Sequence, residues 1–272
     1  MKMRQAEKRV GNYHTHTMRC GHAVGTDEEY VLAAIEAGWK VLGFSDHAPW
    51  PYESGFTNPG VRMTTDRLAE YVDAVHALQD KFGDRIRIYA GLECEYFPPY
   101  MEWLREQKEK LGLDYLIFGN HFEKSDETGI YYGVAPLKQH AEEYCAGVLK
   151  GLELGLFDCL AHPDLFLMSY PVFDETARTV SEIICRKAKE LGVPLEYNLQ
   201  GQRLEERGKA PGVGYPKRDF WQIAKEVGNE VIIGMDAHAP DALVDYARYD
   251  AAMETLREIG VNQIFALKGL GE

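Results

Sequence analysis

The stretch YHTHTMRCGH, residues 13–22, places His14, His16 and His22 within ten residues of a 272-residue chain that has nine histidines in all. It closes the run RVGNYHTHT (9–17) and precedes TDEEYVLAAIEAG (26–38), which reads as a helix with Thr26 as N-cap, Glu29 as capping-box partner and Gly38 as terminator. A strand that ends in histidines and hands over to a capped helix is one β/α unit. The rest of the chain repeats it.

KVLGFSDH (40–47) leads through a turn-rich segment, 48–63, to a helix over 65–82, and RIRIYAGLECEYF (85–97) leads to a helix over 99–112. LDYLIFGNHF (113–122) precedes a Gly/Tyr loop and a helix over 136–154, and FDCLAHPD (157–164) precedes a helix over 174–191. VPLEYNLQG (193–201) is followed by a basic, glycine-rich loop and a helix over 217–228, and EVIIGMDAH (230–238) by a last helix over 242–259. Seven such repeats predict an α/β fold, a distorted seven-stranded (β/α)7 TIM-like barrel in a single domain. The final VNQIFALKG (261–269) reads as a short eighth strand or a tail packed under the barrel. Pattern alone leaves an open doubly wound sheet as the alternative.

Composition narrows the function classes. Thirty Lys and Arg against 43 Asp and Glu give a net charge of −13, which argues against a nucleic-acid-coating surface. A small anionic substrate remains compatible, because bound cations reverse a local field. No apolar run approaches the roughly 20 residues of a membrane span, and the basic N-terminal MKMRQAEKRVGNY lacks the apolar core of a secretory signal. The five dispersed cysteines form no CxxC pair and read as reduced thiols, so a cytoplasmic protein is expected. Cys20, between histidines, reads as a hydrogen-bonded loop thiol.

The expected strands end in polar residues: His14 and His16, Asp46 and His47, Glu93 and Glu95, His121, His162 and Asp164, then Asp236 and His238. The sixth, EYNLQGQR, is polar without histidine. Strand C-termini of an α/β barrel converge on one mouth, so these side chains and His22 would meet there, leaving only His76 and His140 on helices. His14 and His16 share one strand face, as do Asp236 and His238. A lone His-x-His is weak evidence, but two such pairs with histidines and carboxylates at the intervening strand ends indicate metal. Imidazole with carboxylate suits zinc, iron or manganese, and two or more metals in one site suit phosphoester hydrolysis.

These motifs, HTH with the later His22, SDH, GLECE, GNHF, AHPD and GMDAH, resemble in order those of the polymerase-and-histidinol-phosphatase (PHP) superfamily, from about residue 11 to about residue 240. CGHAVGTDEEYVLAAIEAGWKVLGFSDHAPW and NLQGQRLEERGKAPGVGYP resemble its stand-alone histidinol-phosphatase branch most closely. The resemblance implies a distorted seven-stranded barrel and one metal-dependent phosphoesterase domain over residues 1–272. It also implies two to three divalent ions (Zn, Fe or Mn). His14, His16, Glu93 and Asp236 would hold the first, Glu93, His121 and His162 the second, and His22, His47 and His238 the third.

The implied reaction hydrolyses a small phosphate monoester, L-histidinol phosphate above others, with Glu93 and Asp236 in the catalytic centre. Arg203, just past the sixth strand, is the candidate phosphate anchor, with Arg19 and Lys124 as weaker substrate contacts. Asp46 is the candidate leaving-group acid and also, with Glu95, a candidate orienter of histidine rings. Asp164 reads as a loop cap. Trp50, Tyr52, Glu53 and Phe56 are candidates for receiving an amine and an imidazole. The rival readings are a sister phosphoesterase acting on a nucleotide or sugar phosphate, a non-catalytic metal-binding regulatory module, and an amidohydrolase-type barrel. The last commonly needs a ligating lysine mid-barrel, where this chain offers glutamates and a histidine.

Overall fold

In the computed structural model, which describes residues 10–271, the local signals translate directly into elements. Residues 1–9, most of the basic N-terminal stretch, lie outside the described residues. Helix α1 (Asp27–Ala37) begins where Thr26 accepts the Glu29 N–H and Glu29 accepts the Thr26 N–H, and it ends at Gly38 with φ 79°. Helices α2 (Leu68–Phe82), α3 (Met101–Leu111), α4 (Lys138–Glu153), α5 (Glu175–Leu191), α7 (Arg218–Val227) and α8 (Tyr246–Ile259) fall where periodicity puts them. The exception is α6 (Leu199–Glu206), which occupies residues expected as the end of the sixth strand and the start of the following loop. Asn198 nucleates it by accepting the Gln200 and Gly201 N–H groups, an N-cap hidden inside a strand motif.

Strands β1 (Gly11–Asn12), β2 (Val41–His47), β3 (Arg87–Cys94), β4 (Tyr115–Phe118), β5 (Cys159–Leu160), β6 (Leu195–Asn198), β7 (Glu230–Gly234) and β8 (Asn262–Gln263) lie side by side in sequence order, all parallel. That order rules out the doubly wound alternative, whose strand order reverses at a switch point. The sheet has eight strands rather than the expected seven: β8 pairs with the start of β7 through Glu230–Asn262 and Val231–Gln263. Past the end of β7, Ala237 bridges to Thr15, with His16 N–H to Ala237 O at 2.9 Å and Ala237 N–H to His14 O at 3.2 Å. The first and seventh strands therefore meet at the mouth while β8 lies at the foot. This curled sheet is consistent with a TIM-like barrel.

The first strand is shorter than expected because the Asn12 side chain diverts it. Asn12 Nδ2 donates to His14 O and Thr15 Oγ1, and its Oδ1 accepts the Met235 N–H. Two apolar layers result. One, between sheet and helices, contains Trp39, Phe44, Trp221 and Phe220. The other, inside the sheet, comprises Tyr13, Val41, Tyr115, Ile117, Cys159, Ala161, Ile232 and Leu267. Tyr115 forms the floor of the mouth, its hydroxyl donating to Tyr13 O and Phe44 O. Gly43 and Gly91 leave room for it: a Cβ at either would lie within 2.5 Å of that side chain. Among the described residues no helix is long and apolar enough to cross a membrane.

Candidate metal centre

Above this floor every strand from β1 to β7 delivers at least one polar side chain from its C-terminal end. Glu93, at the end of β3, is the hub. Its Oε1 faces His162 Nε2 at 2.6 Å and His121 Nε2 at 3.2 Å. Its Oε2 faces His47 Nδ1 at 3.0 Å and the Nε2 atoms of His14 and His16 at 3.4 Å each. Asp236 Oδ1 approaches the same two nitrogens, at 3.5 Å from His14 and 3.2 Å from His16. At the rim His22 and His238 meet with their Nε2 atoms 3.0 Å apart, and with His47 they form a further group. His76 and His140 stand half-buried on their helices, apart from this cluster.

The donors are held from behind. Glu196 Oε1 lies 2.7 Å from His14 Nδ1, and its Oε2 accepts the His162 backbone N–H and the Asn198 amide. Asn198 also donates to Asp236 Oδ2. Glu95 Oε1 lies 3.0 Å from His121 Nδ1. Asp46 accepts from the backbone N–H and hydroxyl of Thr17 and faces His16 Nδ1 at 3.7 Å. Such outer partners fix ring orientation and tautomer. His162 and Asp236 have φ of 30° and 45°, left-handed values that L-residues adopt at a cost and that here aim both side chains inward.

Electrostatics follow from this crowding. Burial alone would raise the Glu93 carboxyl, yet His121, His14 and His47 hold it well below its ordinary range. Burial would depress His121, but Glu93 and Glu95 raise it to about 9. His238, buried beside His16, is pressed down to about 3. Buried atoms without a hydrogen-bond partner include His14 Nε2, both His16 ring nitrogens, His47 Nδ1, His162 Nδ1 and Asp236 Oδ1. Unpaired buried polar atoms are costly and rare, so their concentration at one point fits a site built for cations. Nitrogen and oxygen donors in this mixture suit zinc, iron or manganese.

A family model described as "PHP domain" matches residues 12–200.

The chain belongs to the PHP domain family.

Its PHP domain is similar along nearly its whole length to curated relatives. One, named "Probable histidinol-phosphatase", from Deinococcus radiodurans, is 29% identical, with 91% of this chain and 92% of the relative aligned. Another, the histidinol-phosphatase of Bacillus subtilis, is 24% identical, with 91% and 99% aligned. The fold is shared with the crystal structure of histidinol phosphate phosphatase from Lactococcus lactis subsp. lactis, complexed with zinc, L-histidinol and phosphate. That match has a TM-score of 0.71 at 19% identity, covering 94% of this chain and 95% of the other.

The PHP mouth opens into a cavity of about 370 Å³, with His16, His22, His47, Glu93, His121, His162, Asp236 and His238 on one side. Val61, Phe122, Leu165, Leu204, Tyr131, Tyr215 and Gln200 form the other. All nine donor residues of the PHP reading thus converge, His14 lying beneath the lining.

The cationic candidates do not line this cavity. Arg203 is buried and donates to Met235 O at 2.8 Å and Ala242 O at 3.5 Å. Arg19 grips Asp27 and Glu70, and Lys124 pairs with Glu123 at the surface. Asp46 is fully buried behind His16, and Asp164 accepts the Lys217 N–H and the Trp221 indole N–H, tying the segment after β5 to the first turns of α7. Trp50 donates to Glu95 Oε2 and Tyr52 to Asp126, so both brace the mouth, and neither Glu53 nor Phe56 lines it. Cys20 is buried, its sulfur accepting the Ala23 N–H; the flanking His16 and His22 outweigh burial and lower its thiol to about 7.

The sequence reading missed Glu196 and Asn198. Their i, i+2 spacing on β6, the same as His14 and His16, was the available signal. It also missed Arg62, Tyr131 and Tyr215, which come from loops with no recognisable pattern.

Proposed function

We propose that this PHP domain is a metal-dependent phosphoric monoester hydrolase that converts L-histidinol phosphate to L-histidinol and phosphate. The observation that carries the reading is the division of Glu93 between two sets of imidazoles. We assign His14, His16, Glu93 and Asp236 to a first divalent ion, and Glu93, His121 and His162 to a second. His22, His47 and His238 take a third, with zinc, iron or manganese as the candidate ions. The whole-length similarity to histidinol-phosphatases supports the named substrate.

When bound, such cations supply Lewis acidity toward phosphoryl oxygens and a water acidic enough to attack near neutral pH. The remaining work falls to the chain. Glu196 and Glu95 hold the rings of His14 and His121, so these donors are in place before substrate arrives. Val61, Phe122, Leu165 and Leu204 line the cavity beside the donors and give that part of it an apolar surface. In the hydrolysis the ester P–O bond breaks as the water oxygen bonds to phosphorus, and the alcohol leaves with a proton.

The test is phosphate release by metal-loaded protein from L-histidinol phosphate and from a panel of nucleotide and sugar phosphates. The expected result is a kcat/KM of about 10⁴ M⁻¹s⁻¹ or more for L-histidinol phosphate, well above the panel. Turnover confined to another ester would retain the hydrolase and reject the substrate. No turnover on any ester would reject both.

A further inference from the structure

A phosphate dianion entering this cavity meets no lysine or arginine among the lining residues. The oxygens that face away from the imidazole–carboxylate cluster meet the opposite wall, where a donor that reaches them adds a charge-assisted hydrogen bond and fixes the phosphoryl group's orientation. The lining offers three neutral donors, the hydroxyls of Tyr131 and Tyr215 and the amide of Gln200.

The two tyrosines have the stronger claim. Tyr215 is 3% exposed, yet its hydroxyl has no protein partner among the described residues. The Tyr131 hydroxyl has only the Met168 sulfur, at 4.0 Å. Both lie within electrostatic reach of Glu93 and Asp236, and the Tyr215 ring stands edge-on to His162 with centroids 6.2 Å apart. Both rings are seated against glycines. A Cβ on Gly133 would lie 2.4 Å from the Tyr131 ring, and one on Gly201 would lie 2.6 Å from the Tyr215 ring. The backbone therefore makes room for each ring in place.

We propose that Tyr131 and Tyr215 form the phosphate-recognition element of this cavity, donating hydrogen bonds to non-bridging oxygens of the substrate's phosphoryl group in place of a cationic anchor. A phenol is protonated at neutral pH and can donate one short, charge-assisted bond to such an oxygen. Two neutral donors also suit a site that already concentrates cations, because they add orientation without adding charge. The inference rests on the phosphomonoester reading above.

The test is calorimetric titration of inorganic phosphate into manganese-loaded wild type, Tyr131→Phe, Tyr215→Phe and the double variant, with metal content and Tm measured alongside. Each single substitution is expected to weaken phosphate binding about tenfold or more, the effect of removing one hydrogen bond to a charged group. Metal content should stay unchanged. Phosphate affinity within twofold of wild type in both single variants would overturn the proposal, as would absence of phosphate binding to the metal-loaded wild type. If phosphate binding falls as expected while wild type does not turn over L-histidinol phosphate, the tyrosine pair stands and the named substrate fails.

Discussion

The guanidinium of Arg62 grips Glu95 with both terminal nitrogens, Nη2 to Oε1 at 2.9 Å and Nη1 to Oε2 at 3.1 Å, at a point where both side chains are almost wholly buried. Arg62 also donates to Ala48 O and, through Nε, to Asp126. It therefore ties the segment after β2 and the loop after β4 to the carboxylate that orients His121. Burial alone would raise Glu95, but Arg62 and His121 together hold it far below the usual carboxylate range.

Removing this arginine leaves two buried carboxylates without their counter-charge. Arg62→Ala is expected to cost about 3–5 kcal/mol of stability, and Glu95→Gln in the same chain to recover part of it. Urea unfolding of the two variants measures both. A loss below 1 kcal/mol for the single variant would show that the ion pair is dispensable.

Glu196 acts on the metal centre only through its neighbours, holding His14 by the ring and His162 by the backbone. Glu196→Gln keeps the shape and weakens the hold. Metal affinity, measured by competition with a chromogenic chelator, should fall about 10- to 100-fold with little change in Tm. Unchanged affinity would remove Glu196 from the site.

Gly119 lies directly beneath the hub. A Cβ there would stand 2.4 Å from Glu93 Oε1, 2.6 Å from His121 Cε1 and 3.0 Å from His162 Cε1. Gly119→Ala should still fold, at a cost of about 1–3 kcal/mol for overpacking. It should release bound metal on dialysis and lose about 10²-fold in phosphate release, because three donors are displaced together. Retained metal with full activity would contradict the assigned geometry.

Asp164 gives a pH signature in the segment after β5. Burial pushes its carboxyl from 3.8 up to about 7. Between these values the native state keeps a proton that the unfolded chain has released, so this group's contribution to stability falls as pH rises through the window. Asp164→Asn mimics the protonated form and removes that dependence. The Tm of the variant minus that of wild type should therefore be more positive at pH 8 than at pH 5, by a few degrees. A constant or reversed difference would show that Asp164 is ionised throughout.

The convergence of His14, His16, His47, Glu93, His121, His162, Asp236 and His238 on one mouth was legible in the chain because a strand has a side-chain period of two and its C-terminal end in a β/α unit faces a common mouth; His22, in the loop after the first strand, came as a donor only with the family resemblance. HTH, SDH, GLECE, GNHF, AHPD and GMDAH therefore carry both a fold signal and a chemical one. The helix over 27–37 was legible for a similar local reason, Thr26, Glu29 and Gly38 capping it within thirteen residues. The helix over 199–206 was not, because its cap, Asn198, doubles as the last residue of β6.

The charged candidates were the least legible. Arg203, Arg19 and Arg62 look alike in sequence, and only packing assigns their partners: backbone carbonyls, surface carboxylates and a buried carboxylate pair, respectively.

By itself the sequence determined the α/β repeat, the mouth at which its polar strand ends gather and the donor chemistry there, since these depend on local periodicity and residue type. The tertiary structure alone decided the eighth strand, the bridge from Thr15 to Ala237, the bracing of the donors by Glu196 and Arg62, and the tyrosine wall. Each of these depends on segments far apart in the chain brought to within a few ångströms, and no local pattern records such a distance.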